Sequence, residues 1–338
     1  MAEGSTVLVF ATGGTIGMRR TERGLAPDPD FPMALEIMMA GVCAPLGADY
    51  RINHQTPPID SANADADTAP RIAAAVRARV RTARPRGVVI LHGTDTLAYT
   101  AARLALELDG LGAPVVITGS MEPHGAPDGD AAANLRLAVR AALRASDSAP
   151  VAIAFGGALL PAARATKHQA SEFEAFAAFR AIEPHPVGAE AVGTVVDRSG
   201  GAESPGTASR IAARVVPFRF VPGTTADDLR AAVGGGPDGL VLECYGTGTA
   251  PTARLGMVEA LREACAALPV VAVTQCGTGG IDFARYAAAD PLVACGVIDG
   301  GDMTLEAAIA KLGFALDRGA RGDALREIMG LNLVGERS

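Results

Sequence analysis

The feature that most constrains this chain is short: the run Thr6-Val-Leu-Val-Phe10 leads straight into Ala-Thr-Gly-Gly-Thr-Ile-Gly at residues 11–17. β-branched and apolar residues without polar alternation make a strand buried on both faces, and adjoining glycines end it in a tight turn. Gly13 and Gly14 can take backbone angles closed to residues with a Cβ, so the chain reverses sharply while its N–H groups and the hydroxyl of Thr15 stay open to a ligand. Thr is also a common N-cap, and Thr12 or Thr15 could equally do no more than cap a following turn.

Downstream, apolar strand-like runs alternate with helix-like segments. A helical segment near Pro32 to Ala40 is followed by a strand near Asp49 to Asn53, a loop from Gln55 to Pro70 and a helix from about Arg71 to Arg84. Val88 to Leu91 is a further strand, with a polar turn and a helix after it. The same unit recurs in Ala113–Ser120, Ala133–Ala145 and Ala149–Phe155. This alternation predicts an α/β fold, a parallel sheet with helices on both faces. From Asp197 to Ala212 the chain is rich in Gly, Ser and Pro, as a linker is. Beyond it, strands are expected at Val215–Phe220, Gly239–Glu243 and Val270–Thr274, with helices near Ala226–Val233, Arg254–Ala267 and Thr304–Asp317. The expected organisation is an N-terminal α/β domain over 1–196, a linker over 197–212 and a smaller C-terminal α/β domain over 213–338. A chain of 338 residues is long enough for two cores.

Composition narrows the function. Although 49% of the residues are apolar, no apolar run approaches the roughly 18 residues that cross a bilayer, so no membrane partner is expected. Met1–Phe10 lacks the basic start and long apolar core of a secretory leader, which reads as cytoplasmic. Cys43, Cys244, Cys265, Cys276 and Cys295 fall in no CxxC or CxxH spacing, so buried free thiols are expected, with neither disulfides nor a metal site. A net charge of −7 argues against nucleic acid and leaves a small molecule as the partner. The only lysines are Lys167 and Lys311. Arg stays protonated, whereas a partly buried Lys can trade its proton. Lys311 lies in the helical pattern Ala307–Leu316 and is expected at the surface, its stem along apolar neighbours. Lys167 is the candidate for proton transfer.

Ligands of open parallel sheets bind beyond the carboxyl ends of the strands. The residues there are Thr12 to Thr15, His92 to Thr96, Thr118 to Ser120 and Glu243 to Thr249. Hydroxyls dominate. The spacing of Gly13-Gly14-Thr-Ile-Gly17 is wrong for a dinucleotide fingerprint, and no P-loop lysine follows. Thr94 and Asp95 follow a strand expected beside the first, which would bring Thr15 and Thr94 to one cleft. Asp95 could instead be an N-cap. His92 has no second ligand at metal spacing and reads as a packed residue. A threonine becomes a nucleophile when something takes its proton, and an amine held by a carboxylate can do so. Thr94, Lys167 and Asp95 would form such a relay.

These motifs carry a resemblance. TGGTIG at 12–17, HGTDT at 92–96, the ITGS turn, Thr166-Lys167, and the segments VLECYGTGTAP and TQCGTGG resemble the bacterial-type L-asparaginase family, nearest its cytoplasmic type I branch, in order and over nearly the whole chain. The resemblance implies a larger flavodoxin-like N-terminal domain with a parallel sheet and a smaller C-terminal α/β domain. It implies a homodimer or homotetramer with sites between subunits, and cofactor-free hydrolysis of asparagine to aspartate and ammonia. Thr15 falls on the family's nucleophile, Thr94 on its second threonine, and Asp95 and Lys167 complete the relay. Asp95 would also hold the substrate's α-ammonium, Ser61 its α-carboxylate, and the N–H of Gly14 and its neighbours the anionic oxygens.

Three positions depart from the family pattern. Where a tyrosine is usual on the loop after the first strand, this chain has Leu25; where an amide side chain often follows the serine it has Ala62; and where an asparagine reaches the neighbouring subunit it has Thr249. Each lost hydrogen bond costs on the order of 1–3 kcal/mol if its partner stays buried. Two further readings therefore stand beside the asparaginase one: a hydrolase of another amide or ester with a pocket opened at Leu25 and Ala62, and a non-catalytic sensor of asparagine or aspartate. Asparagine against glutamine, L against D, dimer against tetramer, and control at a second site near Thr274–Cys276 are left open by the sequence; Cys276 itself is expected to be a buried thiol.

Overall fold

The computed structural model describes residues 5–146, 151–179 and 212–338. The expected linker lies outside these residues except for Ala212. Packing divides the chain into two units, Met1–Ala178 and Phe179–Ser338.

Unit 1 contains β1 (Thr6–Gly13), β2 (Met18–Thr21), β3 (Gly24–Pro27), α1 (Phe31–Cys43), β4 (Asp49–Ile59), α2 (Thr68–Ala83), β5 (Gly87–Leu91), α3 (Leu97–Glu107), β6 (Val115–Thr118), α4 (Ala131–Arg144), β7 (Ala152–Phe155), β8 (Ala158–Pro161), β9 (Thr166–Lys167) and β10 (Phe176–Ala177). The main sheet runs β4-β1-β5-β6-β7-β8. Its first five strands pair in parallel, in the order 2-1-3-4-5 of a flavodoxin-like sheet, and β8 turns back antiparallel on β7. Side chains alternate between faces along a strand. Val7, Val9, Val89, Leu91 and Val116 pack against Leu35 and Met39 of α1 and Leu135 and Val139 of α4. Leu8, Val88 and Ile90, fully buried, point the other way, toward the face that α2 and α3 share. Unbroken apolar strands are therefore what this position requires.

The structure differs from expectation in this unit beyond the β9–β10 pair that carries Lys167. β4 runs on to Ile59, well past Asn53, because Gly13 at the end of β1 still pairs with Ile59 after an irregularity. The polar stretch after the first turn forms the β2–β3 hairpin, in which Arg20 faces Leu25. The sheet also ends in the antiparallel strand β8.

Unit 2 contains β11 (Val215–Arg219), α5 (Ala226–Gly234), β12 (Gly239–Cys244), α6 (Met257–Ala267), β13 (Val270–Thr274), α7 (Asp290–Cys295), β14 (Ile298–Asp299), α8 (Leu305–Asp317) and α9 (Gly322–Gly330). Its four strands are parallel in the order β11-β12-β13-β14. Phe220, Leu229, Leu240, Leu242, Met257 and Leu261 lie in one core. Thr225 and Asp228 form a capping box on α5, and Thr304 caps α8.

Lys311 corrects a sequence expectation. Its side chain is 0% exposed and its Nζ lies 2.6 Å from Glu336 Oε1, itself 2% exposed. The ammonium also donates to the carbonyls of Met329 and Leu331. Glu336 accepts from the backbone N–H groups of Leu333 and Val334. Burial pushes the amine down to about 8, against the pull of Glu336. Burial pushes the Glu336 carboxyl up, but Lys311 and the two N–H donors outweigh it and hold the group below its ordinary value. Among the thiols, Cys43 and Cys244 are buried as expected, while Cys276 is exposed, contrary to expectation.

Candidate active site

The strand order of unit 1 reverses between β1 and β5, where open parallel sheets take their ligands. β1 delivers Gly13, Gly14 and Thr15 to that edge, and β5 delivers His92 to Asp95. Gly13 and Gly14 have φ of 136° and 97°, conformations strained for any side chain. Space forbids one as well. A Cβ on Gly14 would lie 2.5 Å from Cα and N of Gly93, a Cβ on Gly13 would run into the carbonyl of Ile59, and a Cβ on Gly93 into the side chain of Ser61. Three backbone turns therefore meet directly, and the residues they carry next, Thr15, Thr94 and Ser61, are gathered at one place. Thr12 is buried and donates to the Leu91 carbonyl at 2.6 Å, tying the end of β1 to β5. Thr96 does the same for the Ser61 turn, donating to the Ser61 carbonyl at 2.8 Å.

Lys167 arrives from β9, which pairs with β10 so that Lys167 faces Phe176. Its Nζ donates to Thr94 Oγ1 and to Asp95 Oδ1, each at 3.0 Å. Thr94 is buried, whereas the side chains of Lys167 and Asp95 are 21% and 63% exposed. One amine thus bridges a buried hydroxyl and a solvent-facing carboxylate. Asp95 does not cap α3; Thr96 occupies that position and makes no cap hydrogen bond. His92 is a packed residue: its Nδ1 lies 2.8 Å from the Gly93 carbonyl, burial lowers its pKa, and its Nε2 has no hydrogen-bond partner among the described residues.

Ala62 is exposed beside buried Ser61, in a turn that Asp60 organises by accepting from the Ala62 N–H and the Asn63 side chain. Leu25 sits on β3, 41% exposed. Thr249 belongs to unit 2, where it closes a tight turn with Tyr245, each donating its N–H to the other's carbonyl. Two supports went unseen in the sequence. One is the β2–β3 hairpin. The other is the loop after β6, which Asp130 orders by accepting from the N–H groups of Met121 and Glu122, while Asn134 donates to the Gly119 carbonyl. An Asp-Gly pair followed by Asp130 and Asn134 at helical spacing was the signal for that loop.

Among the described residues no group of His, Cys, Asp and Glu is placed to hold a metal ion, and no helix is long and apolar enough to cross a membrane.

A flavodoxin-like sheet with a hydroxyl–amine–carboxylate cluster at its switch point, followed by a second parallel α/β unit, defines a class of two-domain α/β enzymes. Within that class the chain belongs to the asparaginase family: residues 6–195 match the model for "Asparaginase, N-terminal" and residues 214–329 that for "Glutaminase/Asparaginase C-terminal domain". It is 32% identical to L-asparaginase 1 of Escherichia coli K12, over 98% of this chain and 97% of that protein. The structure of the thermostable L-asparaginase from Thermococcus kodakarensis superposes with a TM-score of 0.79 at 31% identity, over 98% of this chain and 99% of the other. That of L-asparaginase I from Vibrio cholerae gives 0.80 at 25% identity, covering 99% of each chain.

Proposed function

We propose that the protein hydrolyses L-asparagine to L-aspartate and ammonia, with Thr15 as nucleophile. The Thr15 oxygen attacks the side-chain amide carbon, the C–N bond breaks, and nitrogen leaves as ammonia carrying the hydroxyl proton. A water then attacks the resulting ester, passing its proton through Thr94 to the amine of Lys167, and the ester C–O bond breaks as the relay hands that proton to the Thr15 oxygen, which leaves as the hydroxyl. Asp95 holds the amine in place and receives the substrate's α-ammonium, Ser61 binds the α-carboxylate, and the N–H of Gly14 and its neighbours face the developing oxyanion. The scheme needs neither metal nor coenzyme. The observation that carries it is Lys167 Nζ at 3.0 Å from both Thr94 and Asp95, beside the turn that bears Thr15.

The same reading takes the enzyme as a cytoplasmic homodimer or homotetramer, with Thr249 facing a neighbouring subunit's site and Gly14, Ser61, Ala62, Thr94 and Asp95 lining its own. The linker at 197–212 and the division into domains at 1–196 and 213–338 belong to this proposal. Ammonia release by the pure protein from asparagine, glutamine and a few β-amides tests it, with Thr15→Ala expected to lower turnover by on the order of 10⁴-fold or more. Retained turnover in that variant overturns the nucleophile.

A second reading has one observation in its favour. Leu25 and Ala62 are exposed and carry no polar group where recognition contacts are expected. If specificity constants are highest for a bulkier amide or an ester, that reading replaces asparagine as substrate and keeps the chemistry.

A further inference from the structure

The β2–β3 hairpin leaves the Thr15–Gly17 turn and returns at Asp28, whose N–H donates to the Gly17 carbonyl at 2.9 Å. What holds this excursion against the body of unit 1 is the loop after β6. His124 donates its backbone N–H to the Ile16 carbonyl at 3.3 Å. Its Nε2 lies 3.1 Å from Asp28 Oδ2, with both side chains mostly buried, and its ring lies 5.4 Å from that of Phe31, at the start of α1. The Asp28 carboxyl sits below its ordinary value because it accepts from the Asp30 N–H and from His124. A second tie, Arg20 to Glu122 at 3.4 Å, is exposed and contributes little. The loop that presents His124 is itself rigid, pinned by Asp130 and Asn134. A cavity of about 360 Å³ lies where these parts meet, with Gly14, Gly17, Asp28, Phe31 and Ile59 in its wall.

We propose that His124 is a positioning residue: by clasping Asp28 and Ile16 it fixes both roots of the hairpin, and so keeps the hairpin and Leu25 seated beside the nucleophile turn. Its kinetic consequence rests on Thr15 being the nucleophile. Its structural consequence does not, and the two are read separately.

The hairpin carries its own reporters, Arg19, Arg20 and Arg23, all exposed. Trypsin cleavage after these three, followed by mass spectrometry on the full chain, measures hairpin release whether or not the chain is active. His124→Ala and Asp28→Asn are each expected to raise cleavage there at least tenfold, the double variant no further than either alone, and His124→Arg to restore protection. The same cleavage rates are expected in a Thr15→Ala background. With asparagine, His124→Ala is expected to raise KM about tenfold and to leave kcat within threefold, a split that a purely structural residue would not show. Cleavage within twofold of wild type in the folded variants overturns the proposal. Asp28→Asn is isosteric and decides the matter should His124→Ala not fold. Raised cleavage with no turnover of any amide in wild type would uphold the clasp and sink the nucleophile reading instead.

Discussion

The two lysines of this chain make a controlled comparison between its units. Each sits with a carboxylate, Lys167 with Asp95 at 3.0 Å and Lys311 with Glu336 at 2.6 Å. They differ in what surrounds them. In unit 1 the pair is open to water and adds a hydroxyl, Thr94; in unit 2 it is sealed, and backbone carbonyls and N–H groups satisfy what remains. Burial pushes the Lys311 amine down to about 8, and that amine is the one no small molecule can reach. A perturbed lysine is thus a marker of burial first, and of chemistry only when a cleft comes with it.

The sharpest way to break this comparison is to remove each ammonium. Lys167→Met is expected to lower kcat by about 10³-fold or more while the melting temperature barely moves, because the pair it breaks is solvent-screened. Lys311→Met should do the reverse. It strands a buried carboxylate and is expected to cost about 3–5 kcal/mol in urea unfolding, with kcat per folded molecule unchanged. Adding Glu336→Gln to Lys311→Met should recover part of that loss, since the amide removes the stranded charge and still accepts one N–H. If Lys167→Met melts early, or Lys311→Met keeps full stability, the division of labour is wrong.

A smaller effect concerns the open site. Leu25→Tyr returns a hydroxyl to β3 and is expected to raise kcat by up to about tenfold, about 1.4 kcal/mol, measured as ammonia release. An unchanged rate would show that the hairpin does not bring this position to Thr15.

The sealed pair also sets a pH dependence. Below pH 8 Lys311 is protonated both folded and unfolded and contributes no slope. From about 8 to 10.5 the unfolded chain holds a proton that the folded chain has released, so this group makes stability rise with pH. The thiols of Cys43 and Cys265, raised to about 11, act oppositely above pH 9. The difference in unfolding free energy between wild type and Lys311→Met should therefore widen from pH 8 to 10, and a constant difference would contradict the burial argument.

What could be read in advance follows the physics of each segment. The strands at Thr6, Val88, Val115 and Val270 announced themselves because burial on both faces leaves no room for polar alternation. The hairpin from Met18 to Pro27 was silent: its residues are polar, and its pairing comes from position after the Thr15–Gly17 turn, not from pattern. The far end of β4 was hidden by Thr56, Pro57 and Pro58, which read as loop. Lys311 misled because a lysine on an apolar helix usually snorkels, and its true partner lies 25 residues further on, in a terminal segment with no periodic signal. The meeting of Lys167 with Thr94 and Asp95 was legible from the scarcity of lysine and the chemistry a threonine needs, and then from the family resemblance, whereas the two-residue strand that delivers Lys167 has no signature of its own. His124 had none either.

The glycine contact between residue 14 and residue 93 has a practical corollary for protein engineering. Because bare main chain meets bare main chain there, the spacing of the two threonine-bearing turns is independent of any rotamer and has no side chain to optimise. A directed-evolution library aimed at new amides should hold positions 13, 14 and 93 constant and randomise 25 and 62, where the scaffold leaves open room.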